Sequence, residues 1–408
     1  MQTLWEKRYA QRTQRITSSA IREILKITQQ PDVISFAGGL PSPDVFPIPQ
    51  FKDAYDVVLS EQGAQALQYS ATEGYQPLRI YLAEYTQKLM NIKLTADNIL
   101  IVSGSQQLMD LVGKIFIDPG DNIIVETPTY MGAIQAWKSY QAEFIPVATD
   151  ENGMIPESLE ENLRAVPKFI YALPNFQNPT GISYSLERRK SLVQLSNHYG
   201  VPILEDDPYG RLRYYGEHLP NIITLDNEHN AEDCKERYCG NVIYTSTFSK
   251  TLAPGVRLAW VVAPEQVIAK LVQAKQGVDL HTATITQMTV YNMIKDSFFE
   301  GHIEEIQSAY KRRRDLMLSL LEKHFPPEVK WTRPLGGLFL WVTLPEDMSS
   351  SDLLEIAVNE KRVAFVPGGP FYPTGGGENT FRMNFSNASD EGISEGVKRI
   401  GELLQERI

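Results

Sequence analysis

Cysteine and histidine are scarce in this chain, and neither occurs in a metal-binding pattern. The 2 cysteines, Cys234 and Cys239, lie in the charged stretch EHNAEDCKERYCGN, and the 6 histidines are scattered with no HExxH pair. Two thiols do not complete a structural zinc site, so no metal is expected. They read as free thiols on a surface loop, with a reducing cytoplasm as the matching compartment. Long apolar runs are missing as well. No stretch approaches the roughly 20 residues that span a bilayer, and the N-terminal MQTLWEKRYAQRTQRITSS has no apolar core of signal-peptide length. A soluble protein without a membrane partner is expected. Basic residues are not in excess either. The formal net charge is −11, whereas a general nucleic-acid binder needs a basic surface to displace counterions, so no nucleic-acid partner is expected.

What is present is an ordinary globular composition in 408 residues, long enough for more than one domain. The segment SSAIREILKIT places Ile21, Ile24, Leu25 and Ile27 at helical spacing behind a serine cap. ISFAGGLPSPDVFPIP then reads as an ordered loop, because its glycines and prolines interrupt regular structure. From about residue 97, short apolar runs alternate with helix-like runs. NILIVSG, DNIIVETP, EFIPVA, KFIYALP, VPILEDD, NVIYTSTFSK and VRLAWVVAP are the strand candidates. Such alternation implies an α/β fold, with a large, mostly parallel sheet sandwiched by helices. A long amphipathic helix over SFFEGHIEEIQSAYKRRRDLMLSLLEKHF leads to strands GLFLWVTL and TFRMNFS and helices near 351–362 and 389–405, a smaller α+β domain. The expected division is 1–49, an N-terminal helix and active-site loop; 50–305, the large domain; and 306–408, the small domain.

The chemistry-bearing residues gather at strand ends, where open α/β sheets bind ligands. Lys250 follows the strand NVIYTST; an isolated lysine there is most simply a surface residue, but a neutral amine in that place forms an imine with a carbonyl. Thr247, Ser249 and Arg257 in TSTFSKTLAPGVR supply hydroxyls and a guanidinium suited to a phosphate. Asp206 ends VPILEDD, where a buried carboxylate needs a cation or a donor. Asp207 beside it suits a turn or cap. Tyr209, three residues after Asp206, offers a phenol to the same ligand. In SGSQQ, Gly104, Ser105 and Gln106 open a helix whose N–H groups can face an anion, a weak signal alone. Tyr130 suits a flat aromatic ligand or a packed core equally. Asn178, in NFQNPTG, reads first as a turn residue. Arg382 lies on the polar side of the alternating strand TFRMNFS, either gripping a carboxylate or solvated on an edge. The Gly-rich PGGPFYPTGGGEN lacks the setting of a dinucleotide fingerprint, and KRRRD at 311–315 is most simply a charged helix face.

Together SGSQQ, PTY, NFQNPTG, EDDPY, TFSKTLAPGVR and FRMNFS, in this order, resemble the fold type I pyridoxal-phosphate enzymes, specifically the class I/II aminotransferases. The resemblance covers nearly the whole chain. It implies pyridoxal 5'-phosphate joined to Lys250, which also moves the proton in transamination. It implies Asp206 on the pyridine nitrogen, Tyr209 and Asn178 on the ring's phenolic oxygen, and Tyr130 stacked on the ring. Ser105, Gln106, Thr247, Ser249 and Arg257 would hold the phosphate, and Arg382 with Asn178 the substrate carboxylate. Tyr69, in QYSATEGYQPLR, matches a tyrosine that reaches the phosphate of the neighbouring chain, so a homodimer is implied. TSSAIREILK followed by SFAGGLP is similar to the aminoadipate and kynurenine aminotransferase subgroup, which puts Gly39 near the substrate and Arg22 where acidic side chains are met. A lyase or decarboxylase on the same cofactor is the alternative, because the fold does not choose the fate of the carbanion. A ligand-sensing regulator is a third reading, disfavoured by the acidic charge.

Overall fold

The computed structural model of the protein describes residues 4–16 and 32–408. The helix expected over SSAIREILKIT, with Arg22, lies outside the described residues. The strands, in chain order, are β1 (Ile34–Ser35), β2 (Ile99–Val102), β3 (Asn122–Thr127), β4 (Glu143–Asp150), β5 (Gly153–Met154), β6 (Ile170–Ala172) and β7 (Ile203–Asp206). They continue with β8 (Val242–Thr247), β9 (Ala259–Val262), β10 (Lys330–Trp331), β11 (Phe339–Thr343), β12 (Val363–Ala364), β13 (Val366–Pro367) and β14 (Thr380–Asn384).

The large sheet runs β2-β9-β8-β7-β6-β3-β4-β5. Its centre is parallel, β9 is antiparallel to both of its neighbours, and β5 closes a hairpin on β4. Every residue of β2, β7, β8 and β9 is buried, because helices cover both faces and leave no side for water. Alternate residues still divide between two cores. Leu100, Val102, Leu204 and Val261 pack under helices Ser105–Phe116, Met131–Lys138 and Glu265–Gln276. Ile99, Ile101, Ile203 and Val262 pack under helices Gln76–Met90, Leu186–Tyr199 and Ile222–His229. This period of two carries the sandwich, although hydropathy alone shows only continuous apolar runs.

A second sheet, β10-β11-β14-β13, is antiparallel, and β1 pairs with β12 in a parallel two-stranded ladder. Helix Phe298–His324 belongs to both halves. Phe299 and Ile303 near its start pack in the core of the large sheet, while Ile306, Tyr310, Met317 and Leu321 pack in the core of the small one. One continuous helix therefore fixes how the two sheets face each other. Its KRRRD segment is not simply a solvated face. Arg313 is buried and donates to Ser386 O at 2.5 Å and Asp44 Oδ2 at 2.8 Å, tying the helix to the strand end after β14 and to the loop after β1. The 3.6-residue period turns that arginine inward while Arg312 stays exposed.

The free-thiol expectation is corrected: Cys234 and Cys239 are joined as a disulfide. Cys234 is buried rather than presented on a surface, and the two Cα atoms stand 5.4 Å apart, within the span such a bond allows. A separation of five residues in a loop without regular structure lets the chain fold back on itself, which no metal-site spacing rule anticipates. Tyr238, inside the loop, anchors it by donating to Asp226 Oδ2 at 2.7 Å and accepting from Val242 N at 2.8 Å. Alkylation of the denatured protein without reductant should label neither cysteine, and after reductant should label both. Full labelling without reductant would contradict the pairing.

Candidate active site

The strands β6, β7 and β8 end at one rim of the large sheet, and β11 and β14 of the small sheet face that rim. Between them lies a cavity of ≈ 260 Å³ lined by residues of both. The turn after β8 supplies Lys250, Thr247 and Ser249. Thr247 Oγ1 accepts from Ser249 N at 3.1 Å and lies 3.0 Å from Ser249 Oγ, so the two hydroxyls are set side by side. Lys250 Nζ donates to the carbonyl of Gly39 at 2.8 Å. Burial, then the Arg382 and Arg257 guanidiniums, lower its pKa to about 8. The chain therefore holds an amine whose neutral form is accessible near neutrality.

Asp206, the last residue of β7, faces the same cavity. Its Oδ2 accepts from Tyr171 OH at 2.8 Å, and its Oδ1 is buried without a hydrogen-bond partner among the described residues. Burial pushes this carboxyl up to about 7, against the hydrogen bond from Tyr171, and Asp207 adds to the rise. Asp207 has the other fate read for it. It accepts from Gly210 N at 2.9 Å in the turn and from Asn175 Nδ2 at 2.9 Å. Tyr209 and Tyr130 both line the cavity, and burial raises both phenols.

The helix that opens at Ser105 brings an anion cradle. Gly104 takes φ +85°, a backbone conformation that favours glycine, and a Cβ there would sit 2.5 Å from Arg257 Nη2 and push the guanidinium off the turn. Arg257 donates to Ser103 O at 3.4 Å, and Ser105 Oγ is buried without a partner among the described residues. Ser105 and Gln106 line the cavity.

Arg382 comes from the small sheet. Every residue of β14 is buried, and β14 lies between β11 and β13, so the solvated edge-strand reading is excluded. Its guanidinium donates to Asn178 Oδ1 at 2.7 Å and Ala37 O at 2.9 Å and lies 4.2 Å over the Phe339 ring. Both acceptors are neutral, and Nε has no partner among the described residues. Burial lowers its pKa to about 10, still charged at neutral pH.

A buried unpaired carboxylate oxygen, a serine hydroxyl at a helix start and an unpaired guanidinium edge thus converge on one cavity with a lysine. Residues 32–400 match the family described as aminotransferase class I and II. The chain belongs to this family. It is 45% identical over 403 residues to the 2-aminoadipate transaminase of Thermus thermophilus, covering 98% of this chain and 97% of that one. It is 43% identical over 410 residues to aromatic-amino-acid aminotransferase 1 of Thermococcus litoralis, covering 99% and 95%. The solved alpha-aminoadipate aminotransferase of Thermus thermophilus, complexed with N-(5'-phosphopyridoxyl)-L-leucine, superposes with a TM-score of 0.91 at 42% identity over 99% of each chain. The protein is a fold type I aminotransferase, and pyridoxal 5'-phosphate is its cofactor. The residues present fit that group: the unpaired Asp206 Oδ1 suits a protonated ring nitrogen, and the Gly104–Arg257 cradle with Ser105 suits a phosphate.

Of the residues expected at the site, Gly39, Ser105, Gln106, Tyr130, Asn178, Asp206, Tyr209, Thr247, Ser249, Lys250, Arg257 and Arg382 line one cavity, and Gly104 abuts it. Tyr69 does not join them within one chain. It is 80% exposed and meets His281 edge-on with centroids 5.9 Å apart. Arg22 lies outside the described residues.

Sequence reasoning missed the groups behind the site. Tyr171 holds Asp206, yet in KFIYALP it reads only as one more apolar strand residue. A polar network around the buried Lys275 also stands beside the anion turn. Asp279 accepts from Ser103 Oγ at 3.1 Å, Gln107 Nε2 at 2.7 Å and Lys275 Nζ at 2.7 Å, and Gln107 Oε1 accepts from Ser103 N at 2.8 Å. The i, i+4 spacing of Lys275 and Asp279 was the available signal, but it normally marks an exposed helix pair.

Only a neutral amine has the lone pair that attacks an aldehyde, and with a pKa of about 8 roughly one-tenth of Lys250 is neutral at pH 7. The rate at which cofactor-free enzyme takes up pyridoxal phosphate, followed by stopped-flow absorbance, should rise with pH through about 8 and level off above it. A rate that inflects near the ordinary lysine value of 10.5, or does not change with pH, would contradict the environment described.

Proposed function

We propose that this aminotransferase moves the amino group of an L-amino acid of the 2-aminoadipate, glutamate, aromatic or branched-chain type to a 2-oxo acid such as 2-oxoglutarate. The observation that carries the proposal is Arg382. A guanidinium with only neutral acceptors, clamped between Asn178 and the Phe339 ring beside Lys250, is a carboxylate receptor in want of its anion. A carboxylate is what amino acids and 2-oxo acids share. The names of the relatives support a broad side-chain range: one acts on 2-aminoadipate, one on aromatic amino acids, and one structure holds a leucine adduct. No observation favours a lyase.

Pyridoxal phosphate, when bound, supplies an aldehyde that condenses with amines and a ring that withdraws electrons. The chain does the rest. Lys250 Nζ, uncharged, would be the base for the proton on the substrate's Cα, and Arg382 with Asn178 would hold the carboxylate in the same cavity. Asp206 Oδ1, with Oδ2 pinned by Tyr171, would keep the ring nitrogen protonated. Tyr209 and Asn178 would hold the ring through its phenolic oxygen and Tyr130 would stack on it, while Gly104, Ser105, Gln106, Thr247, Ser249 and Arg257 would hold the phosphate. Gly39 lies on the substrate side, where its carbonyl holds the lysine amine. Arg22 is the proposed reader of acidic side chains.

The active unit proposed is a cytoplasmic homodimer. The exposure of Tyr69 supports a role for it across a subunit interface, at the partner's phosphate. The disulfide removes the free-thiol argument for the cytoplasm, and the compartment now rests on the supply of 2-oxo acids that the reaction needs. Residues 50–305 form the proposed cofactor-bearing domain and 306–408 the small domain, parted within helix Phe298–His324, with 1–49 as the N-terminal segment, whose Gly39 lines the cavity.

Losing one partner of a buried charge pair costs about 2–5 kcal/mol, or roughly 30- to several-thousand-fold. Arg382→Ala should therefore lower kcat/KM by that range for acidic, aromatic and branched-chain donors alike in steady-state assays. Loss confined to acidic donors would mean that Arg382 reads the side chain and would overturn the assignment.

A further inference from the structure

A second cavity, of ≈ 450 Å³, backs directly onto the active site and takes no part in the chemistry above. Neighbours along the chain divide between the two. Asp206, Thr247 and Lys250 face the active site, while Asp207, Ser246 and Thr251 line the second cavity. Its mouth lies between the end of helix Gln76–Met90 and the loop at 218–220, where Leu89, Asn91, His218 and Pro220 are exposed. Its walls combine aromatic and apolar side chains, Tyr85, Met90, Tyr244, Trp260 and Phe299, with polar ones such as Asp207 and Arg211.

The polar groups in those walls are not equally engaged. Asp207 is saturated, accepting from Asn175 Nδ2 and Gly210 N on one oxygen and from Asn221 Nδ2 at 3.0 Å and Tyr244 OH at 3.2 Å on the other. Arg211 is engaged at the side by Glu300, at 2.5 Å, and by Tyr85 OH. Two side chains of the wall, each 5% exposed, have no hydrogen-bond partner among the described residues: Trp260 through Nε1 and Thr251 through Oγ1. An indole N–H can only donate. A buried donor left without a partner costs about 1–3 kcal/mol, so the wall is short of an acceptor rather than of a donor.

We propose that this cavity binds a small aromatic molecule carrying a neutral carbonyl, an aryl carboxamide or aryl ketone. The flat ring suits the tyrosine, tryptophan and phenylalanine walls. The carbonyl oxygen satisfies Trp260 Nε1 and Thr251 Oγ1. A carboxylate in the same place would face the Asp207 anion, so the cavity selects against the charged ligands that Arg382 selects for.

Calorimetric titration of the holoenzyme with benzamide, carried to about 10 mM as suits a fragment-sized ligand, reads the proposal without relying on turnover. The expected result is one benzamide per chain, weakened about 5-fold by Thr251→Val and by Trp260→Phe, the worth of one hydrogen bond, with benzoate at least about 10-fold weaker at this site. Thr251→Val keeps the side-chain shape, so the test stands even where Trp260→Phe fails to fold. No binding, binding that both variants leave unchanged, or equal binding of benzoate would each overturn the proposal, leaving a cavity that holds water only.

Discussion

One carboxylate organises the site: Asp206, buried at the end of β7, with one oxygen held by Tyr171 and the other held by nothing in the described chain. A buried carboxylate is tolerated when its lone pairs are engaged and costs several kcal/mol when they are not. Its rise to about 7 expresses that cost as a reluctance to ionise. A raised carboxyl pKa removes stability as pH climbs past the ordinary carboxylate range, and a cation brought to Oδ1 restores it. The fold accepts this penalty at a strand end where a cationic ring nitrogen can relieve it.

The surrounding charges follow from that placement. Lys250, Arg382 and Arg257 lie around one cavity, and burial, then the field of the two guanidiniums, lowers the lysine to a value of use near neutrality. Arg382 stays charged because guanidinium is intrinsically basic, and the Phe339 face and Asn178 amide stabilise it without neutralising it. The two sheets supply different members of this set, so the geometry depends on helix Phe298–His324, which is packed into both cores.

The strand order could not be read from the sequence, but the longer strands could, whereas the short strands β1, β5, β10, β12 and β13 carry too few residues to show a pattern. Short apolar runs such as ILIV and ILED are buried on both faces, and an apolar run bounded by turn residues is a strong signal for that setting. Most residues that line the cavity were legible too, because Lys250, Asp206 and Thr247 follow from their places at strand ends. Less legible were groups whose role depends on contacts distant in sequence. Tyr171 reaches Asp206 across 35 residues, and Asp279 reaches Ser103 across 176. The inward turn of Arg313 was hidden for the same reason, since a run of like charges says nothing about which member faces the core. The disulfide was hidden for another reason: free and paired cysteines look alike in a sequence, and the pairing depends on how the loop folds.

The measurement that bears most directly on the role of Asp206 compares the binding of pyridoxal phosphate with that of its analogue carrying C–H in place of the ring nitrogen. Dissociation constants are needed for the wild type and for Asp206→Ala, so that the pair forms a double-mutant cycle. The expected result is a preference of at least about 30-fold for pyridoxal phosphate in the wild type, set by a buried charged hydrogen bond of about 2 kcal/mol or more, and its loss in Asp206→Ala. An equal preference in both proteins would place the ring nitrogen elsewhere and contradict the assignment of the unpaired oxygen.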